Sequence, residues 1–448
     1  VKDQLSRIMV RMKKIIDYLL KKSMDPVRPH IFAYFRIILG MILFVECFRF
    51  FRHNWVYQYF VEPVFYFSYP GLDFIRPLSW DGMNYLFITM GILSFVLILG
   101  IFSRVVCALL FCLFSYQFLI DQSQYLNHFY LIQLILLCCV FLPLDNCWSI
   151  KPSGRSMASI LDLYFLRFLV AVPYVGGGIA KLNWDWLAGE PMRMWLWNRK
   201  DTPLIGKFYE NPDVAYFYSY GGLLFDLFIV PALLYPKTRK LAVVAVLIFH
   251  INNHFIFHIG IFPWFMILAT PVFFNAHRFG PETTAEFKAP PAAGMSKICF
   301  LIIFVVIQLL LPFRHLLYKG SVHWTEKGHR FSWHMKLRSK NGQIHFLVRD
   351  GESGKEEQVD PKVYLTRRQN RKMSTRPGMI RQFAHFLETV YEAKGWKSVE
   401  VRTWAPCSLN GRKYQLLVDP MIDLTQDELP EGWILPLNTP LDQRLYPH

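Results

Sequence analysis

Charge is the first thing in short supply. Asp, Glu, Lys and Arg make up only 18% of the 448 residues, and acids are scarcer than bases, 33 against 49, for a formal net charge of +16. A chain so poor in charge is not a disordered polyelectrolyte. The basic excess forms no single patch. It is spread over the N-terminal arm, short loops and the C-terminal third, which reads as membrane topology and not as a nucleic-acid partner. No Asn-x-Ser/Thr acceptor occurs with x other than Pro, which points away from a eukaryotic secretory membrane and toward a bacterial inner one. There is no P-loop and no Gly-x-Gly-x-x-Gly, so neither phosphate-binding signature is present. The eight cysteines (Cys47, Cys107, Cys112, Cys138, Cys139, Cys147, Cys299 and Cys407) show neither a disulfide framework nor zinc spacing. Residues 1–30 lack the apolar h-region of a signal peptide; they read as a basic, amphipathic arm on the cytoplasmic side.

What is present is apolar and aromatic. Hydrophobic residues make up 53% and aromatic residues 17% of the chain. That composition predicts an α-helical polytopic membrane protein with room for one extramembrane domain. About nine apolar segments mark candidate spans, near 31–51, 83–101, 104–120, 126–143, 159–180, 219–235, 240–257, 259–274 and 297–312. Alternate connections carry Lys2 to Arg28, Arg104, Lys151 with Arg155, Lys237 with Arg239 and Lys240, and Arg278 with Lys288. The other connections are nearly free of base or balance it with acid. The positive-inside rule then places the N-terminus in the cytoplasm and everything after the ninth span on the lumenal or periplasmic side. The division expected is an arm over 1–30, a transmembrane domain over 31–312 and an outer α/β domain over 313–448.

Polar groups at membrane depth are costly, so each needs a reason. The stretch Gly176-Gly177-Gly178-Ile179-Ala180-Lys181 closes an apolar run that begins near Leu161. Glycines let a backbone or a flat ligand come close. Burial disfavours the charged form of an amine, which suits Lys181 to act as a base. Snorkelling of Lys181 to the headgroups and helix packing through the glycines is the competing reading. Arg36 and Glu46 lie in the first span and are expected to have partners. Asn127-His128 opens the fourth. His250, Asn252, Asn253, His254 and His258 cluster between the seventh and eighth, with metal-compatible i, i+4 spacing but no carboxylate, and Gly260 and Pro263 close by to break the helix; no metal is expected. His315 follows the ninth. Topology brings Asn127-His128, Lys181, this cluster and His315 to one face.

The C-terminal part reads as a small α/β domain. Phe331, Trp333, Met335 and Leu337 alternate with polar residues, a strand period. Asn341-Gly342 is a hairpin signal leading to a second strand at Ile344, Phe346 and Val348. Met379, Phe383, Phe386, Leu387 and Val390 recur at helical spacing. Val399 with Val401, and Leu416 with Val418, suggest two more strands. Pro281, Pro290, Pro291 and Gly294 mark a connection over 281–296 before the last span.

Four stretches carry a resemblance: Asn127-His128-Phe129-Tyr130-Leu131; Ala180-Lys181-Leu182-Asn183-Trp184-Asp185-Trp186; Phe249-His250-Ile251-Asn252-Asn253 with Ile259-Gly260-Ile261-Phe262; and Leu311-Pro312-Phe313-Arg314-His315, His323-Trp324-Thr325 and Phe331-Ser332-Trp333. Together they resemble the vitamin K-dependent γ-glutamyl carboxylase family, membrane enzymes that couple oxygenation of vitamin K hydroquinone to carboxylation of glutamate. The resemblance implies vitamin K hydroquinone, O2 and CO2 as cofactor and co-substrates, a glutamate-containing peptide or protein as acceptor, and contact with membrane lipid. It implies that Lys181 deprotonates the hydroquinone. It implies that His128 and Asn127 contact the quinone and assist the oxygenated intermediate. It places His250, Asn253 and His315 along the same cavity. The chain departs from the animal enzymes at Gly328-His329, where they carry Leu-Tyr beside the glutamate, and at Arg338, where they carry His. Their longer C-terminal region and bridging cysteine pair have no counterpart here. Hydroquinone oxygenation without protein carboxylation, or with another acceptor, and quinone binding without catalysis are the alternative readings.

Overall fold

The computed structural model describes residues 22–152, 156–257, 259–280, 287–291 and 294–441. His258 and Pro281 lie outside the described residues, as does most of the N-terminal arm. Each of the nine apolar segments forms a helix: α1 (His30–Arg52), α2 (Trp80–Leu99), α3 (Ser103–Leu119), α4 (Asn127–Cys139), α5 (Ile160–Ala180), α6 (Pro212–Leu234), α7 (Arg239–Phe257), α8 (Phe262–Ala269) and α9 (Met295–Leu310). Six of these stretches are long and apolar enough to cross a bilayer; α3, α4 and α8 are shorter. Local chemistry sets their ends. Ser79 accepts from the Gly82 amide at 3.2 Å and starts α2, and a Ser159–Asp162 capping box starts α5. Asn211 caps α6 just before Pro212.

The helical part has a main apolar core, built on residues such as Phe35, Leu39, Phe87, Leu110, Leu131, Leu166 and Phe265, and a small one around Trp186, Met192, Leu196 and Ile256. Large apolar side chains remain outside at helical spacing, as with Ile88, Ile92 and Phe95 on α2 and Ile302, Ile303, Val306 and Leu310 on α9. Such stripes suit lipid contact. The polar residues of the first span do have partners, but not each other. Arg36, fully buried, reaches Asp145 at 3.6 Å and the Leu144 carbonyl at 3.0 Å. Glu46 pairs with Arg49 at 2.6 Å.

Beyond α9 the chain builds two three-stranded antiparallel sheets. In one, β2 (His345–Arg349) lies between β3 (Glu356–Val359) and β4 (Glu400–Trp404). In the other, β5 (Pro406–Leu409) lies between β1 (Lys340–Gly342) and β6 (Gln415–Leu416). The expected helix is α10 (Pro377–Glu392), and its face Met379, Ile380, Phe383, Leu387 and Tyr391 is buried against β2 and β4 in a second core.

Two expectations for this region are corrected. Asn341-Gly342 makes no hairpin; Asn341 pairs with Ser408 and Gly342 with Cys407 in a ladder. Nor is 331–338 a strand. Phe331, Trp333 and Lys336 have φ of 59°, 56° and 50°, left-handed values that break an extended ladder. Their alternation has another cause. Trp333 and Leu337 are buried, and Phe331 packs on Tyr125 and Tyr130 of the helical part. The segment is threaded into the membrane domain, which buries the polar Ser332 and His334 along with Trp333 and needs no sheet.

Candidate functional site

Lys181 is the C-cap of α5, where carbonyl groups favour a cation. It is buried, and its ammonium is ion-paired with Asp226 of α6, also buried. Sequence reasoning missed Asp226. The signal was an acid inside the apolar run of α6, the same signal that flagged Arg36 and Glu46. The three glycines have separate neighbours. A Cβ on Gly177 would lie 3.2 Å from the Asp226 carboxylate, and one on Gly178 would lie 3.1 Å from the Leu227 amide nitrogen. They let α6 approach α5 closely enough to seat the pair. The Lys181 ammonium also lies 5.3 Å from the centre of the Trp186 ring.

The pair lies on the wall of a cavity of about 420 Å³. Phe217, Phe225, Phe249, Phe262, Met266 and Met335 supply its apolar lining, and His250 and Asn253 also line it. The Tyr174 hydroxyl lies 2.7 Å from His250 Nε2. His250 Nδ1 is buried without a hydrogen-bond partner among the described residues. Asn252 is tied to the Tyr218 hydroxyl at 3.0 Å. Among the described residues no group of three or more His, Cys, Asp or Glu is arranged to hold a metal ion.

Asn127 and His128 line a second cavity, of about 710 Å³, which shares Phe257, Ile259, Phe262, Met335 and Lys336 with the first. Asn127 accepts from the Tyr125 hydroxyl at 2.8 Å and donates to the His334 carbonyl at 3.3 Å. The His128 ring packs on Phe129 and Phe262.

This second cavity is strongly cationic. Arg49, Arg330, Lys336, Arg338, Lys340, Arg368, Arg371, Lys372 and Arg376 line it against only Glu46 and Glu326. Glu326 binds Arg338 at 2.5 Å and Lys340 at 3.5 Å. Burial alone would raise the Glu326 carboxyl, but Arg338 and Lys340 bring it down to about 2. Burial, with Arg330 and Arg338 nearby, lowers Arg376 to about 9. The Arg376 charge, then burial, holds Lys372 well below the ordinary lysine value. Cations crowded in this way attract an anion. The run Arg367-Arg368-Gln369-Asn370-Arg371-Lys372 was the readable signal for this surface, and it was not singled out.

His315 is not in the cavity of Lys181, contrary to expectation. It lines a third space, a groove of about 600 Å³ between α5 and the end of α9. The reason lies in α5. Tyr174 and Lys181 face one side of that helix, and Val172, Val175, Ile179 and Ala180 face the other. His315 donates from Nδ1 to the Pro312 carbonyl at 2.8 Å. Its ring lies 5.0 Å from that of His334, which lines both the groove and the cationic cavity.

No solved structure matches this chain. The family model of the HTTM domain matches residues 24–277. The model of the vitamin K-dependent gamma-carboxylase lumenal domain matches residues 294–440. The two follow one another along nearly all of the described chain, the first over the membrane helices and the second over α9, the threaded segment and both sheets. The protein therefore belongs to the vitamin K-dependent γ-carboxylase family.

Proposed function

We propose that the protein is a vitamin K hydroquinone-dependent γ-glutamyl carboxylase. In this reading it couples oxygenation of the hydroquinone by O2, to the epoxide, with addition of CO2 to a glutamate side chain. The observation that carries it is the Lys181–Asp226 pair set in an aromatic cavity that shares a wall with a cationic one. The first suits a flat apolar ring with an ionisable hydroxyl, the second a carboxylate-bearing peptide. The fit is supported by His250 Nδ1, a buried polar atom beside that aromatic lining with no hydrogen-bond partner among the described residues. When bound, the hydroquinone supplies the reducing power and, with O2, a base strong enough for the weakly acidic γ-proton.

The chain's own groups do the rest. The paired Lys181 and Asp226 take up a proton at Asp226 Oδ2, which leaves the Lys181 ammonium free to stabilise negative charge in the cavity. Tyr174 fixes the His250 ring, so that with the hydroxyl donating to Nε2, Nδ1 carries a proton for the occupant. Phe217, Phe225, Phe249 and Phe262 exclude water that would quench a strong base. Asn127 and His128 stand in the cationic cavity at the shared Phe262 wall, between the ring and the peptide. The Arg330, Arg338 and Arg376 side of that cavity holds the glutamate carboxylate. In this scheme residues 1–30 lie in the cytoplasm, 31–312 in the membrane and 313–448 outside it, with a bacterial inner membrane favoured over the ER.

The test is product analysis on the full chain in detergent, given vitamin K hydroquinone, O2, labelled bicarbonate and a glutamate peptide. Epoxide with labelled peptide is the expected result. Epoxide without label would favour the second reading, oxygenation without protein carboxylation or with a different acceptor. That reading draws on Gly328-His329, because the His329 ring is engaged by Arg338 and is not free for a substrate. Quinone binding with no product would sink both.

A further inference from the structure

The groove that took His315 away from the Lys181 cavity has a chemistry of its own. Its walls are apolar and open toward the bilayer side. Val175 and Ile179 of α5 and Leu309 and Leu316 near the end of α9 line it and are 37–71% exposed. Among the described residues no Lys, Arg, Asp or Glu lines it. Besides Tyr318 and Ser321, its polar residues fall into two classes. Gln308 is bound to the Tyr130 hydroxyl at 3.0 Å, Ser332 donates to the Gly328 carbonyl at 2.7 Å, His315 is held by Pro312, and Asn183 donates to the Ala180 carbonyl at 2.9 Å. Trp333 Nε1, His323 Nδ1 and His334 Nδ1 are buried and have no hydrogen-bond partner among the described residues. Their residues are 0%, 8% and 5% exposed.

An indole N–H is a donor only. Left without an acceptor in an apolar setting it is unfavourable, and native proteins rarely leave one so. The two imidazoles stay neutral. Burial first, then the nearby Arg338 charge for His323 and the His323, His315 and Arg338 groups for His334, bring them down to about 4 and about 3. Glu326 and, for His323, Asp185 oppose this. With the indole as a fixed donor and each neutral imidazole able to donate from Nδ1, the groove complements an uncharged ligand rich in acceptors, with a flat apolar body and an apolar tail. An anionic headgroup has no cation there to meet it. A hydroquinone, which must also donate, finds its acceptor at Asp226 on the other face of α5.

We propose that this groove binds the oxidised, acceptor-only form of an isoprenoid naphthoquinone. The ring carbonyls are taken by the Trp333 indole and the imidazoles of His323 and His334, and the tail lies along Val175, Ile179 and Leu309 toward the lipid. The naphthoquinone identity of the ring rests on the reading of function given above; the acceptor-only character does not. Reduced and oxidised forms then have separate sites on opposite faces of one helix.

The experiment uses the full chain in lipid nanodiscs and a tritiated 2-methyl-1,4-naphthoquinone with an isoprenoid tail. Trp333→Phe keeps a ring and removes the donor; it is expected to weaken quinone binding about tenfold. Val175→Phe fills the groove from the lipid side and is expected to abolish that binding, and it carries the test if Trp333→Phe does not fold. Lys181→Met is expected to leave the binding intact. Quinone binding unchanged in both groove variants overturns the proposal. So does native mass spectrometry that finds a phospholipid, lost in Val175→Phe, which the quinone does not displace. Loss of binding in the groove variants of a protein that makes no epoxide would uphold the site while the reading of function fell.

Discussion

Lys181 could be picked out from the sequence because it ends an apolar run, but what it does there depends on a residue 45 positions away. Asp226 shares its burial and gives the Lys181 ammonium a counter-charge, so that the pair as it stands carries no net charge in the membrane domain. Lys181→Ala should therefore lower epoxide formation by about 10³-fold, and Asp226→Asn by about 10²-fold, with both proteins still purifying as folded species. If Asp226→Asn kept full turnover, the pair would be structural. In the cationic cavity Arg376 has no carboxylate partner of its own in the described structure. Arg376→Gln should raise KM for an acidic peptide about tenfold with little change in kcat, and the wild-type KM should climb with salt. A fall in kcat alone would move Arg376 away from peptide binding. His315 was misplaced by sequence reasoning for a simple reason. Topology says which face of the membrane a residue reaches, not which side of a helix it lies on.

At the scale of elements, helices were far easier to read than strands. Nine apolar runs gave nine helices because burial and lipid contact both demand long apolar stretches. The alternation in 331–338 misled because an apolar–polar period of two says nothing about ladder bonds, and here Ser332, Trp333 and His334 are buried in succession. The close approach of α5 and α6 rests on Gly178. Gly178→Val should destabilise the protein by about 2 kcal/mol, seen as a lower unfolding temperature in detergent, because Leu227 backbone blocks the added carbons. An unchanged temperature would mean that the two helices can separate without penalty. His323 and, in the threaded segment, His334 add a pH response. His323 and His334 are pulled below the ordinary imidazole value by burial, so the unfolded chain binds more protons than the folded one below about pH 6.5. Stability is then fully present above that pH and falls as pH drops toward 4, by about 3 kcal/mol for His323 alone. Scans of unfolding temperature against pH should show this slope, and His323→Asn should flatten it. A slope that the variant leaves untouched would assign the acid sensitivity elsewhere.

On the scale of the whole molecule, the two family modules are joined by buried polar contacts that no pattern in the sequence announces. Asp185, just after α5, accepts from Arg412 at 2.6 and 2.7 Å and from Asn410 at 2.8 Å. Gln369 donates to Asp121 at 2.8 Å and to the Phe65 carbonyl at 2.7 Å. Burial would raise the Asp185 carboxyl, but Arg412 and Asn410 hold it below the usual carboxylate range. Asp185→Asn should cost about 2 kcal/mol and loosen the sheets from the helices, measured as faster proteolysis of the 340–441 region. Equal protection in the variant would show that the apolar contacts suffice. Sequence separation is what hid these ties: a chain read locally shows which groups need partners, not which distant group supplies them. The same separation has a consequence for how the protein is made. The cationic cavity takes Glu46 and Arg49 from the first helix and Arg376 from just before the last one, so its walls are complete only after some 330 intervening residues have been synthesised and threaded. A chain synthesised only through α9 carries Lys181, Asp226 and most of the aromatic lining, but not the Arg330, Arg338 and Arg376 side of the cationic cavity.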